Sequence, residues 1–327
     1  MSKKKDIYCD LGFWSCLSSR FSNVKMTTNR DELRKNQNLM DWYDLLSRSK
    51  LLFDCTAGDF EVIAKIDPYL KDIWKKSIED DKCQLDFSPG AVASMCAGSS
   101  GMVLKMYNSL YLSDKNHEPQ ARNVGVINVY SGSLHEHAEL FNDLGPSIKR
   151  DSRCDWMELL ETAKAGQNCN SMIIADNYIF QDVNSNLYRI LDALLPRKLE
   201  TVFYLTVFSL NMFTESELEK KKQQLEKKIN EMRPELSIKV EVFSCTKEEF
   251  HDRGIITNYM WIEIGAGFNV LKSGGVAKKR TNIHITYPMI ISEDRMKCNV
   301  DGYWNIIEDA KSCLKSRNER SNNRLLR

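Results

Sequence analysis

His251 and Arg253 stand two residues apart, the spacing that puts two side chains on one face of a strand. Asn258 follows, and then Met260, Ile262 and Ile264 alternate into Gly265-Ala266-Gly267. A guanidinium offers phosphate a planar fork of charged donors, and a neighbouring imidazole can attack phosphorus or move a proton. With a close glycine turn behind them, this is chemistry suited to a phosphate. Lys278-Lys279-Arg280 supplies further cations, and with Gly265 completes the candidate phosphate-binding set. A second group is acidic. Asp10 and Asp54 lie at the ends of two short strand-like runs, Ile7–Asp10 and Leu51–Cys55, and Asp59 and Glu61 follow closely. Gathered at strand ends, these carboxylates are candidate ligands for Mg²⁺ or Mn²⁺, hard cations that assist phosphodiester hydrolysis.

The register of His251, Arg253, Asn258, Gly265, Ala266 and Phe268 resembles the H-x-K-x(4)-D-x(6)-G-S-x-N signature of the phospholipase D superfamily. The histidine and first glycine match; lysine has become arginine, aspartate asparagine, serine alanine and the last asparagine phenylalanine. The local text, with Phe250-His251-Asp252-Arg253 opening this stretch, is most similar to the phospholipase D-like C-terminal domain of MIT-domain proteins. What the resemblance implies is a sheet flanked by helices, no cofactor, and His251, Arg253 and Asn258 in the catalytic positions. Active members of the superfamily use two copies of the motif. The single copy here implies a homodimer if turnover is to occur, and its degenerate residues imply phosphate recognition without full phospholipase D-type hydrolysis. The acid group, with its first strand ending in Asp10, is similar to the start of PIN-like nucleases.

Other motifs carry less. His135-Glu136-His137 lacks the frame of a zinc site, and Gly98-Ser99-Ser100-Gly101 is not followed by the lysine of a P-loop. A formal net charge of +1 argues against a globally basic nucleic-acid binder and leaves only local patches. The ten cysteines contain no C-x-x-C pair and read as reduced thiols. No apolar run reaches the ~18 residues of a membrane span, and no signal-peptide core follows Met1, so a cytoplasmic protein without a transmembrane segment is expected.

The elements that must position these groups alternate. Strands are expected at 7–10, 51–55 and 123–130, and helices over 30–50, 60–77, where Pro68 either interrupts the helix or opens a second one, and 91–112. After a turn-rich stretch from Gly145 to Asp155 come a helix over 156–165, a buried strand at 171–175, a helix over 187–195 and an apolar strand at 201–210. A charged helix opening at Thr214, a strand at 238–243, a mobile basic loop over 272–280, a strand at 282–287 and a helix over 303–314 complete the series.

The expected architecture is therefore α/β in two domains: residues 1–147 of undetermined role, similar to PIN domains; 148–314, phospholipase D-like with a parallel sheet; and a flexible basic tail, 315–327. Two functions fit. One is nucleic-acid phosphodiester binding or cleavage, as in a microbial defence effector; the other is a non-catalytic adaptor for anionic lipid or a protein partner.

Overall fold

The computed structural model describes residues 6–22, 30–79, 83–96, 110–141, 144–161, 168–176, 179–180, 186–209, 213–246, 248–250, 252–265, 267–272, 274–288 and 300–326. It is a mixed α/β protein with two sheets. The chain divides into two compact units, the second beginning at Asn142. The expected boundary near 148 falls a few residues late, because Ser147–Ile148 is itself a strand of the second sheet.

The first unit carries β1 (Asp6–Cys9), α1 (Leu11–Ser22), α2 (Arg30–Ser47), β2 (Lys50–Phe53), α3 (Ala57–Ala64), α4 (Pro68–Glu79), β3 (Gln84–Phe87), α5 (Ala91–Cys96), β4 (Leu110–Leu112), α6 (Glu118–Val124) and β5 (Ile127–Val129). Its five strands run parallel in the order β3-β2-β1-β4-β5. Pro68 opens α4, as its fixed φ and missing N–H favour. Two expectations fail locally. The helix expected over 91–112 ends its described part at Cys96, and Leu110–Leu112 is a buried strand. Residues 123–130 divide between the end of α6 and β5, because Gly125 takes the left-handed conformation (φ 71°) that closes a helix.

The second unit holds β6 (Ser147–Ile148), α7 (Trp156–Glu161), β7 (Ser171–Asp176), α8 (Tyr188–Leu194), β8 (Phe203–Ser209), α9 (Glu215–Met232), β9 (Ile238–Ser244), β10 (Gly254–Thr257), β11 (Trp261–Ile264), β12 (Thr281–Thr286) and α10 (Val300–Ser316). The strand order is β6-β12-β11-β10-β7-β8-β9. Only β7, β8 and β9 are mutually parallel; β10, β11, β12 and β6 pair antiparallel, so the sheet is mixed rather than parallel throughout. The reason is local: the Asn258-Tyr259 turn returns the chain directly, whereas a parallel neighbour needs a long crossover. Every residue of β7 and β8 is buried, as a central sheet covered on both faces requires. Helix α9 begins with a capping box, Thr214 and Glu217 exchanging hydrogen bonds, and buries Leu225 and Ile229.

Two segments expected to be loose are tied down at their described residues. The 272–280 stretch closes through Lys272 N–H to Val276 C=O and a bridge between Leu271 and Ala277, with Gly275 at φ 78°. In the tail, the Asn323 amide is fully buried and donates to Met172 C=O and Thr206 Oγ1, Glu241 accepts from Ser321 and Asn322, and Arg324 stacks on Tyr204. Its composition is polar, but those polar groups are spent on the sheet. Among the described residues no helix is long and apolar enough to cross a membrane.

Candidate functional site

Parallel strands deliver their C-terminal ends to one edge. In the first unit that edge carries Ser88, Asp54, Asp10, Ser113 and Tyr130 after β3, β2, β1, β4 and β5 respectively. The order reverses between β1 and β4, since β2 and β3 build outward on one side and β4 and β5 on the other. Open α/β sheets bind ligands at such a switch point. The residues there are Asp10 and the Ser113-Asp114 pair.

Asp10 is half-buried and its Oδ1 accepts from the Phe13 amide, which ties it to the start of α1. Burial raises its carboxyl above the ordinary aspartate range; the amides of Phe13 and Asp114 and the nearby His117 pull the other way, and Asp54 adds to the rise. On the β4 side the hydrogen bonds fix the state of a histidine. Asn128 Nδ2 donates to Asp114 C=O at 3.1 Å, so its Oδ1 faces Ser113 and accepts from that hydroxyl at 2.5 Å. Ser113 Oγ, its proton committed, then accepts from His117 Nδ1 at 3.0 Å. In its neutral form His117 therefore leaves Nε2 as an acceptor. Asp114, His117 and Ser113 escaped the sequence reading because 91–112 reads as one helix; the apolar Leu110-Tyr111-Leu112 running into Ser-Asp was the signal.

The other expected acids serve the backbone. The Asp54 carboxylate accepts from the amides of Gly90, Ala91 and Val92 at the start of α5. Asp59 forms a capping box with Thr56 for α3, and Glu61 lies exposed on that helix. The four acids expected to gather as a metal site do not assemble among the described residues. The one group of three possible ligands there is Cys245, Glu249 and Cys313, in which the two sulfurs are bonded to each other. That bond also corrects the expectation that all cysteines are free thiols.

In the second unit, His251 and Ala266 lie outside the described residues. Arg253 precedes β10 and Asp176 closes β7; since Gly254 pairs with Ala175, both leave the sheet at the same edge. Asp176 is fully buried, and its Oδ2 accepts from the Phe268 amide at 2.8 Å. Gly267, at φ 74°, passes so close that an added Cβ would sit 3.0 Å from that oxygen. Gly267 is thus the glycine the geometry requires, whereas Gly265 is exposed with open space around it. Beside this turn, Asn269 Oδ1 accepts from Asn186 and from the exposed Lys278, which holds Lys278 against the residue that follows Phe268. Lys279 and Arg280 are exposed and lead into β12. Among the described residues the buried Ser209 hydroxyl, level with Asp176 in the sheet, has no hydrogen-bond partner.

Asn258 is not at this edge. It follows β10, five residues and about 16 Å of extended chain from Arg253 at ~3.3 Å per residue. Fully buried, its Oδ1 accepts from the amides of Asn170 and Ser171 at 2.9 and 3.0 Å, and its Nδ2 donates to Asn170 Oδ1. It fastens the start of β7, so the catalytic role expected of it is replaced by a structural one.

No protein-family model matches the sequence, and no curated protein matches it. The phospholipase D-like and PIN-like resemblances rest on the residues named above alone.

Proposed function

We propose that this protein binds nucleic acid through its phosphodiester groups and cleaves it with the help of a divalent cation at the switch point of the first sheet. The observation that carries this reading is the placement of Asp10 and Asp114 at the ends of adjacent parallel strands, with the His117 ring nearby. Mg²⁺ keeps several waters and takes one or two carboxylates together with substrate phosphate oxygens, so two acids suffice where three do not converge. Asp10 and Asp114 would hold the ion through the lone pairs left over by the amides they accept, that of Asn116 in the case of Asp114, and the ion supplies charge stabilisation to a reacting phosphodiester when bound. The residues' own contributions are separate. The half-burial of Asp10 weakens solvent screening of its charge, and the Asn128-Ser113 chain holds the His117 ring in one orientation.

The second sheet edge, with Arg253 and Lys278, contributes phosphate recognition without turnover, in line with its phospholipase D-like spacing and its departures from that signature. The test is incubation of the purified chain with single- and double-stranded DNA and RNA, at low salt, with and without Mn²⁺. Cation-dependent cleavage is expected; absence of both binding and cleavage would sink the proposal. The exposed Lys278-Lys279-Arg280 run favours a second reading, a non-catalytic adaptor on an anionic membrane surface, with roughly 1 kcal/mol per basic residue. Equal sedimentation with neutral and anionic vesicles would remove it.

A further inference from the structure

We propose that Cys245 and Cys313 form a reversible redox lock that fixes helix α10 against β10, the strand that Arg253 leads into; only the identity of the ligand it would govern rests on the phosphate reading above. Cys245 follows β9 directly, and its amide donates to Ser209 C=O at 2.8 Å. Cys313 lies in the last turn of α10, 68 residues away, and the two sulfurs are joined. Both are buried among Phe208, Phe250, Ala310 and Leu314.

What the lock would hold is the backing of the motif strand. Along α10, Gly302 lies flat on Trp261, where an added Cβ would fall 2.0 Å from the ring. Tyr303 Oη donates to the carbonyls of Thr257 and Asn258 at 3.1 and 3.3 Å, gripping the turn after β10. Asn305 Nδ2 donates to Asp252 Oδ2 at 3.0 Å, gripping the residue before Arg253. One helix therefore touches both ends of β10, and the disulfide secures the helix.

Reduction would leave a weaker clasp. Arg317 pairs with Glu249 at 3.0 Å, and Glu249 also accepts from the Thr246 amide at 2.7 Å, so the helix end stays docked without the covalent bond. Forming the bond removes two electrons and two protons from the thiols. A low-molecular-weight disulfide such as oxidised glutathione accepts them, becoming two thiols by exchange through a mixed disulfide. Because both sulfurs are buried, exchange follows a local opening of the last turn of α10.

The full chain, equilibrated across ratios of reduced to oxidised glutathione, would be quenched, alkylated and mapped by mass spectrometry. Cys245 and Cys313 should be protected together at oxidising ratios and alkylated together at reducing ones. On reduction the amides of residues 252–264 and 300–316 should exchange hydrogen about tenfold faster, and Tm should fall by roughly 5–15 °C. The double variant Cys245→Ser/Cys313→Ser should show the reduced-state exchange at every ratio; if it does not fold, the wild-type comparison decides alone. Alkylation of both cysteines at all ratios, unchanged amide exchange, or a tightly held zinc ion that a chelator removes would each overturn the lock. None of these measurements needs nucleic acid, so a failure to bind it would count against the proposed function and not against this inference.

Discussion

The two sheets present acids at the ends of their parallel strands and use them oppositely. In the first unit Asp10 and Asp114 stand at the switch point beside a histidine held in one orientation. In the second, Asp176 is sealed against the Phe268 amide, and the groups left for the proposed phosphate contact are the basic Arg253 and Lys278. Asp54 differs from its neighbour by degree, since its carboxylate is taken by three backbone amides while Asp10, one strand over, accepts from two, those of Phe13 and Asp114. The fewer backbone amides a strand-end carboxylate accepts, the more of its lone pairs stay open to a ligand.

The largest expected effect separates the two edges. Asp10→Asn should reduce cation-dependent cleavage by on the order of 10²–10³-fold, several kcal/mol of lost charge stabilisation, while Arg253→Ala leaves the turnover rate unchanged. A Mn²⁺ dependence that survives in Asp10→Asn would break the comparison. Stability should respond at Asn258, where Asn258→Ala leaves two buried amides unsatisfied and costs roughly 2–4 kcal/mol in a urea titration. An unchanged midpoint would mean that the residue does not fasten β7.

Smaller effects sharpen the contrast between neighbouring acids. Asp54→Ala removes the cap of α5 and should cost about 1–2 kcal/mol with cation dependence intact. Asp10 should behave in the opposite sense. Its folded carboxyl is raised, so folding favours the protonated form: the charge costs stability above the raised pKa, and the cost disappears as pH falls toward the unfolded value. Asp10→Asn should then be as stable as wild type or more so at pH 7, with the difference vanishing near pH ~4 in thermal melts. The smallest effect is that of Arg253→Ala on binding, a uniform loss across sequences with the salt slope lowered by about one.

Much of the fold is legible locally. The apolar runs at 171–175 and 201–210, the acid-rich helix start at Thr214 and the alternation into Gly265 each specify their element through neighbours in the chain. The candidate sites were less legible. Asp114 was hidden because a strand of three residues carries too little pattern to interrupt an apparent helix. Asn258 sat in the spacing of a catalytic acid, yet β10 carries it to the far end of the strand, where its partners, Asn170 and Ser171, lie 88 and 87 residues away in sequence. The tail looked disordered by composition, and its order comes from Asn323 reaching the carbonyl of Met172.

The sequence by itself determined an α/β chain with most of its strands and helices, because period, capping and turn chemistry act over a few residues. Tertiary structure decided which carboxylates the backbone consumes, which glycine must turn, and which two of the ten cysteines meet. Those outcomes depend on amides and sulfurs brought together across tens of residues, and no local spacing encodes them.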